Sequence, residues 1–297
     1  MDEIEYHYTG TPEIWQFGML TRYQINSYHN QGYLVLENAI AGEDIEKLRA
    51  AALDIVEHFD IDQNRSVFKT TDRDSGRDDY FFNSAENIHC FLEEDALGTD
   101  GTLLKPAHLA INKIGHAMHD LHPVFKAFCE LPIFARLAGD IGYDTPLLWQ
   151  SMYIFKQPHI GGEVRWHQDA SYLISSPPCV TGIWVAIEDS NLANGCLWVQ
   201  PGGHRSPLRE IYRVDWNTRE GTLTTLDSTP WPLLDEAVAV EVTAGSIVIF
   251  HDHMPHYSSQ NLSANSRHAF TLHVAEKSAD WSEENWLQRR SLGDFEL

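Results

Sequence analysis

Two imidazoles, a carboxylate and a guanidinium stand at spacings that can build an oxidising metal centre. His167 and Asp169 flank Gln168, His256 follows 87 residues after the aspartate, and Arg267 lies eleven residues further on. Side chains on an extended strand repeat their direction every second residue, so His167 and Asp169 are expected on one face. If a second strand brings His256 beside them, the three form a two-histidine, one-carboxylate facial triad. That ligand set leaves positions open on non-haem Fe(II) and suits oxygen activation. With sixteen histidines in the chain, a His-x-Asp pair by itself is as readily a structural hydrogen-bonding element. Context gives it weight: an aromatic-rich strand before it, further strands after it, and a second histidine cluster where the sheet would return.

That cluster, His251-Asp252-His253-Met254-Pro255-His256, offers three imidazoles. His251 and His253 share a strand face and either bind metal themselves or hydrogen-bond at the strand end. Position relative to Ser258 and Arg267 favours His256, because Ser258 faces the same way if the strand continues. Arg267 opens the mainly apolar run Arg267-His268-Ala269-Phe270-Thr271-Leu272-His273-Val274. A guanidinium on a core-facing strand needs an anionic partner, and its planar fork matches a carboxylate bidentately; on the surface it would need none.

The elements that must position these groups fall into two regions. From 20 to 145 the chain reads as mostly helical support and loops. Thr21-Arg22-Tyr23-Gln24 has the pattern of a capping box, Gly32 stands where that helix would end, and Tyr33–Leu36 is a short strand. Ile45, Leu48, Ala52, Ile55 and Phe59 recur at helical spacing behind Glu43 and Asp44. A further helix is expected over 107–121, with Ile114, Met118 and Leu121 on one side. Residues 72–79 are charged or turn-forming and read as a solvated loop.

After Pro146 the character changes to runs rich in Trp, Tyr, Val and Ile between turn signals, at 148–155, 164–173, 182–187, 196–199, 238–242, 247–250 and 269–274. The expected fold is mainly β with flanking helices, an antiparallel barrel or double sheet of core 146–275 in a single domain, 1–297. Asn194-Gly195 predicts a type I′ hairpin that makes the flanking strands neighbours. Residues 205–236 are a long connection of little period, a lid or an elaboration. Arg205, Arg209 and Arg213 at a spacing of four suggest one face of a short helix there. His204 reads as structural, after the Pro-Gly-Gly turn.

Composition narrows the partners. Twenty-one basic against 43 acidic residues give a net charge of −22, a field that repels nucleic acid and anionic membranes. With 43% apolar and 11% aromatic residues the chain can bury a substantial core. Apolar runs such as Ile247–Phe250 are far shorter than the roughly 18 residues of a membrane span. The acidic start, Met1-Asp2-Glu3-Ile4-Glu5, and four cysteines without a Cys-x-x-Cys pair suggest a cytoplasmic protein with reduced thiols. Oligomeric state is not legible.

Trp166-His167-Gln168-Asp169, Asn194-Gly195-Cys196-Leu197, Pro201-Gly202-Gly203-His204 and His256-x-Ser258-x-x-Asn261-x-Ser263-x-x-x-Arg267 resemble the serial signatures of the phytanoyl-CoA dioxygenase family. The stretches 111–116, 150–158 and 284–288 add to the resemblance, which runs from the N-terminal helix-Gly-Tyr-strand unit to about residue 287. It implies a double-stranded β-helix, a jelly-roll or cupin-like barrel, holding Fe(II) through His167, Asp169 and His256, with 2-oxoglutarate and O2 as cosubstrates and ascorbate as a candidate reductant. Arg267 and Ser258 would then hold the distal carboxylate of 2-oxoglutarate. Lys113, Met152 and Trp184 would line its pocket, Trp184 only after a one-residue gap is allowed between it and His167.

The implied activity is hydroxylation or desaturation of a small organic substrate, with release of succinate and CO2. Related halogenating enzymes lack the carboxylate that Asp169 supplies. A non-catalytic sensor or scaffold that binds metal and a 2-oxo acid on the same barrel is the alternative. A zinc hydrolase would need an acid or base beside the metal, and no motif places one. Imidazole ligands must be neutral, so iron affinity is expected to weaken below about pH 6.5. The family does not license an acyl-CoA substrate, and the net charge makes one less attractive; the pocket mouth is expected from 60–106 and 205–236.

Overall fold

The structure, a computed structural model, describes residues 18–68 and 78–297. Helix α1 (Arg22–Gln31) starts at the expected capping box: Thr21 accepts from the Gln24 N–H, and the Gln24 side chain accepts from the Thr21 N–H. It stops at Gly32, whose φ of 78° lets its N–H return to the Tyr28 carbonyl. A Cβ there would also lie 2.3 Å from the His204 ring, so glycine serves both conformation and close approach. Strand β1 (Tyr33–Leu36) follows, then α2 (Gly42–Glu57), which buries Ile45, Leu48 and Ala52. Each large apolar side chain so buried contributes about 1.5–3 kcal/mol.

The expected helix over 107–121 is not formed. After α3 (Asp79–Asn83) and β2 (Ile88–Leu92), the chain makes one turn of helix, α4 (Ala107–Ala110), and then strand β3 (Ile111–His116). A second single turn, α5 (Met118–Leu121), closes the stretch before α6 (Pro123–Cys129) and α7 (Pro132–Asp140). β3 pairs with β2 on one side and with β4 (Pro146–Ile154) on the other. Ile114, Met118 and Leu121 thus straddle a strand-to-helix boundary, and pairing on both edges outweighs a weak helical period. The loop expected at 72–79 lies outside the described residues except for Asp78, which caps α3 through its carboxylate, and Asp79.

The β region continues with β5 (Val164–His167), β6 (Ser175–Ser176), β7 (Thr181–Ala186), β8 (Leu197–Val199), β9 (Glu210–Asp215) and β10 (Glu220–Thr225). It ends with β11 (Val238–Val240), β12 (Ile247–His251), β13 (His256–Ser258), β14 (Ala269–Glu276) and β15 (Asp280–Trp281). Seven strands form an antiparallel sheet in the order β1-β12-β7-β14-β4-β3-β2, and a second sheet runs β11-β8-β13-β5. This is the expected jelly roll.

Alternation along the strands explains why they read as nearly continuous apolar runs. Ile183, Val185, Ile247, Ile249, Phe270 and Leu272 face out to a core shared with α2, α6 and α7. Their neighbours Trp184, Ala186, Val248, Phe250 and Ala269 face in, packing on Leu197 and Val199 of the second sheet. Both faces of the large sheet are therefore covered, and neither needs polar residues.

Two further expectations, the hairpin at Asn194-Gly195 and a shared helix face for Arg205, Arg209 and Arg213, fail for stated reasons. Asn194-Gly195 does not close a hairpin, since β7 and β8 belong to different sheets. Only Gly195 has positive φ, at 81°, while the Asn194 side chain donates to the Asp189 and Ser266 carbonyls and ties the crossing loop down. Residues 205–236 are not structureless: β9 and β10 pair as a hairpin. Arg205 sits in a 3-10 turn, Arg209 is buried ahead of β9, and exposed Arg213 on β9 pairs with Glu284, so the three share no helix face. No helix among the described residues is long and apolar enough to cross a membrane.

Candidate active site

The inner faces of the two sheets enclose a cavity of about 390 Å³, and every site residue anticipated from sequence lines it. β5 ends at His167, which is the register partner of His256 on β13, so the two rings meet with centroids 4.0 Å apart. The strand does not reach Asp169 as anticipated; Asp169 starts a 3-10 turn. Gln168 stays extended at φ −121°, ψ 136°, and this preserves the two-residue alternation into the turn. Asp169 Oδ1 is 3.8 Å from His167 Nε2 and 3.7 Å from His256 Nε2. These three residues are the group of His, Cys, Asp and Glu side chains, among the described residues, whose ligand atoms lie within 4.8 Å of one another.

Hydrogen bonds on the far side of each ring set its tautomer. His167 Nδ1 donates to the Arg165 carbonyl at 2.9 Å, and His256 Nδ1 donates to the Met254 carbonyl at 3.0 Å. A carbonyl only accepts, so each proton is on Nδ1 and each Nε2 lone pair points at the shared space. Burial, with the neighbouring His256, pulls His167 down to about 3. Burial alone would raise Asp169, but His273, His256 and His167 outweigh it and hold the carboxyl well below the usual range. Two imidazole nitrogens and a carboxylate oxygen face one point, a donor set that a hard-to-borderline divalent cation takes.

His251 and His253 do not join them. His251 Nδ1 accepts from the His253 N–H at 3.1 Å at the end of β12, the strand-end alternative. His204 is structural as read, its Nε2 donating to the His29 carbonyl.

The same cavity is lined by a buried cation. Arg267 is 2% exposed, and burial pulls its guanidinium down to about 10, which leaves it charged at neutral pH. Nη2 donates to Ser258 Oγ at 3.3 Å, and the guanidinium lies over the Trp184 ring at 5.5 Å. Nε and Nη1 have no hydrogen-bond partner. A buried cation with two unmet donors is costly unless an anion arrives. Met152 on β4 and Trp184 on β7 both stand opposite Thr271 of β14, placing one on either side of the same cavity wall. Lys113, read as a helical residue, is instead buried on β3, its ammonium 3.2 Å from the Phe68 ring centroid and 3.9 Å from Met152 Sδ.

Three wall residues escaped the sequence reading. Lys156 is buried with Nζ donating to the Gly162 carbonyl, and burial together with Arg267 pulls it well below its ordinary range. His273 and Gln150 stand behind Asp169. A signal existed for His273: it follows Arg267 by an even number of residues in an apolar run.

A family model described as "Phytanoyl-CoA dioxygenase (PhyH)" matches residues 28–269. An Arabidopsis thaliana protein named "Phytanoyl-CoA dioxygenase" is 43% identical over 277 residues, 93% of this chain and 96% of that one. "Phytanoyl-CoA dioxygenase domain-containing protein 1" of Bos taurus is 39% identical over 273 residues, 89% and 94% of the two chains. Among solved structures, EctD from S. alaskensis with 2-oxoglutarate and 5-hydroxyectoine superposes with a TM-score of 0.62 at 19% identity, covering 91% of this chain and 84% of that one. SnoK, described as a non-heme alpha ketoglutarate dependent carbocyclase, gives 0.60 at 16%, covering 89% and 87%. At those identities the likeness is one of fold.

Proposed function

The chain belongs to the phytanoyl-CoA dioxygenase family, and on that footing we propose that it is an Fe(II)- and 2-oxoglutarate-dependent oxygenase that hydroxylates or desaturates a small organic substrate. One observation carries the reading. Three ligand atoms aimed at one point share a cavity with a buried guanidinium that has two nitrogens, Nε and Nη1, without a hydrogen-bond partner. The first arrangement suits a divalent metal and the second a carboxylate, so together they suit a metal-chelating dicarboxylate.

When bound, iron and 2-oxoglutarate supply the oxidant: decarboxylation of the 2-oxo acid to succinate and CO2 leaves one atom of O2 for the primary substrate. The protein's own work is holding and excluding. His167 and His256 present Nε2 because their Nδ1 protons are committed to backbone carbonyls. Asp169 supplies Oδ1 and the negative charge. Arg267 and Ser258 receive the distal carboxylate and thereby fix which end of 2-oxoglutarate faces the triad. Lys113, Met152 and Trp184 close the sides of that pocket against water. We assign the chain to one domain, in which β1, β2 and β3 join the strands of 146–275 in the large sheet.

Succinate formation from 2-oxoglutarate, in air with added Fe(II), tests the proposal. Wild type should produce it and Asp169→Ala should give only background. Equal release from the two would defeat the oxygenase reading. Binding of 2-oxoglutarate without any succinate would assign the sensor alternative.

A further inference from the structure

The triad carboxylate is gripped from behind by a side chain that no motif contains. Asp169 Oδ1 faces the two Nε2 atoms, while Oδ2 turns away and lies 3.1 Å from His273 Nε2. Gln150 Nε2 donates to His273 Nδ1 at 2.9 Å. With Nδ1 acting as acceptor, the ring proton is on Nε2 and is donated to Oδ2. Gln150 and His273 are register partners on β4 and β14, both buried, so the relay is built into the large sheet rather than into a loop. On its other flank His273 faces Gly182 of β7, which brings no competing side chain.

We propose that His273, itself oriented by Gln150, is a positioning residue that keeps Asp169 a one-oxygen ligand; this rests on the iron reading given above. A carboxylate oxygen that accepts a buried N–H from a fixed imidazole cannot swing toward the metal without leaving that donor unmet, at a cost comparable to a lost hydrogen bond. The consequence is a count of positions. On a six-coordinate ion, two imidazole nitrogens and one carboxylate oxygen would leave three places for 2-oxoglutarate and O2. An aspartate that binds through both oxygens would fill the place O2 needs. His273 therefore acts through Asp169.

Cobalt(II) titration of the full chain, followed by its visible spectrum with and without 2-oxoglutarate, tests this without turnover. His273→Leu should weaken Co(II) binding about 10–100-fold and change the spectrum of the 2-oxoglutarate complex. His273→Gln, whose amide can still donate to Oδ2, should recover wild-type affinity to within about threefold. Folded His273→Leu protein with wild-type affinity and spectrum would overturn the proposal, as would a His273→Gln variant no better than the leucine one. If His273→Leu fails to fold, Gln150→Leu decides: weaker binding supports the relay and unchanged binding refutes it. Wild type that binds Co(II) no better than Asp169→Ala would sink the iron reading itself, a result distinct from failure of the His273 assignment alone.

Discussion

Replacing Arg267 with methionine should move stability and 2-oxoglutarate affinity in opposite directions. Methionine has a comparable length, no charge and no need for a partner. Without the 2-oxo acid, the wild-type guanidinium leaves Nε and Nη1 unmet. Each such buried donor costs roughly 1–3 kcal/mol. Against this stand the Nη2 bond to Ser258, about 1 kcal/mol, and the contact with Trp184, about 1–2 kcal/mol. Removal also relieves the repulsion between Arg267 and buried Lys156. Across those ranges the variant lies between about 1 kcal/mol less and about 4 kcal/mol more stable than wild type, a change in Tm from about 2 °C down to about 8 °C up at roughly 2 °C per kcal/mol for a chain of this size. With 2-oxoglutarate present, loss of a buried bidentate carboxylate pair costs about 3–4 kcal/mol, or roughly 10²- to 10³-fold in Kd. Differential scanning calorimetry of metal-loaded, oxygen-free protein reads both quantities. A variant that melts well below wild type without ligand, or that binds 2-oxoglutarate with wild-type Kd, would refute the reasoning that this arginine is held in reserve for an anion.

Acid should weaken the metal-free fold well before the carboxylates titrate. Burial pulls His167 to about 3 and His204 and His268 to about 4, so each takes up its proton on unfolding. The unfolded chain therefore binds more protons below about pH 6.5, and buried His167 and His268 can each remove up to about 1.4 kcal/mol per pH unit as pH falls toward the folded value, half-buried His204 less because solvent screens it. Urea unfolding between pH 6.5 and 4.5 should show this decline, with a shallower slope in His167→Gln; parallel slopes would show that His167 is not held neutral. Gly195→Ala should destabilise by about 1–3 kcal/mol from its φ of 81° alone, and a Cβ 2.5 Å from the Ser259 carbonyl adds to that. Because Gly195 O accepts from Ser258 Oγ, the same change should raise the KM for 2-oxoglutarate; unaltered urea midpoint and KM would count against both statements. Leu48→Ala in α2, fully buried, should cost about 2–5 kcal/mol yet leave the Co(II) spectrum unchanged, and a shifted spectrum would mean that the helical layer does reach the metal site.

The triad was legible because a period of two is a strong constraint, and it survived even where the strand did not: Gln168 remained extended while Asp169 passed into a 3-10 turn. The jelly roll was legible in its apolar runs, but their order in the sheets was not. β7 and β8 are sequential and still lie in different sheets, because Asn194 anchors a crossing loop rather than a hairpin. Lys113 was misplaced for a related reason. A six-residue strand flanked by single helical turns mimics one helix, and only its pairing partners β2 and β4, distant in sequence, decide the matter. β10 was missed because its face is exposed and polar, so no alternation of hydrophobicity marks it. His273 was overlooked although it follows Arg267 by an even number of residues in an apolar run; what it does is visible only once Asp169 arrives from the turn after β5.

The central claim is that His167, Asp169 and His256 converge on one divalent ion. Crystals grown without oxygen in Mn(II), an inert stand-in for Fe(II), and 2-oxoglutarate test it through anomalous scattering. The account predicts a single strong peak about 2.0–2.3 Å from His167 Nε2, Asp169 Oδ1 and His256 Nε2, with the 2-oxo acid reaching from it to Arg267. A peak elsewhere, or none at that point with 2-oxoglutarate in place, would contradict it.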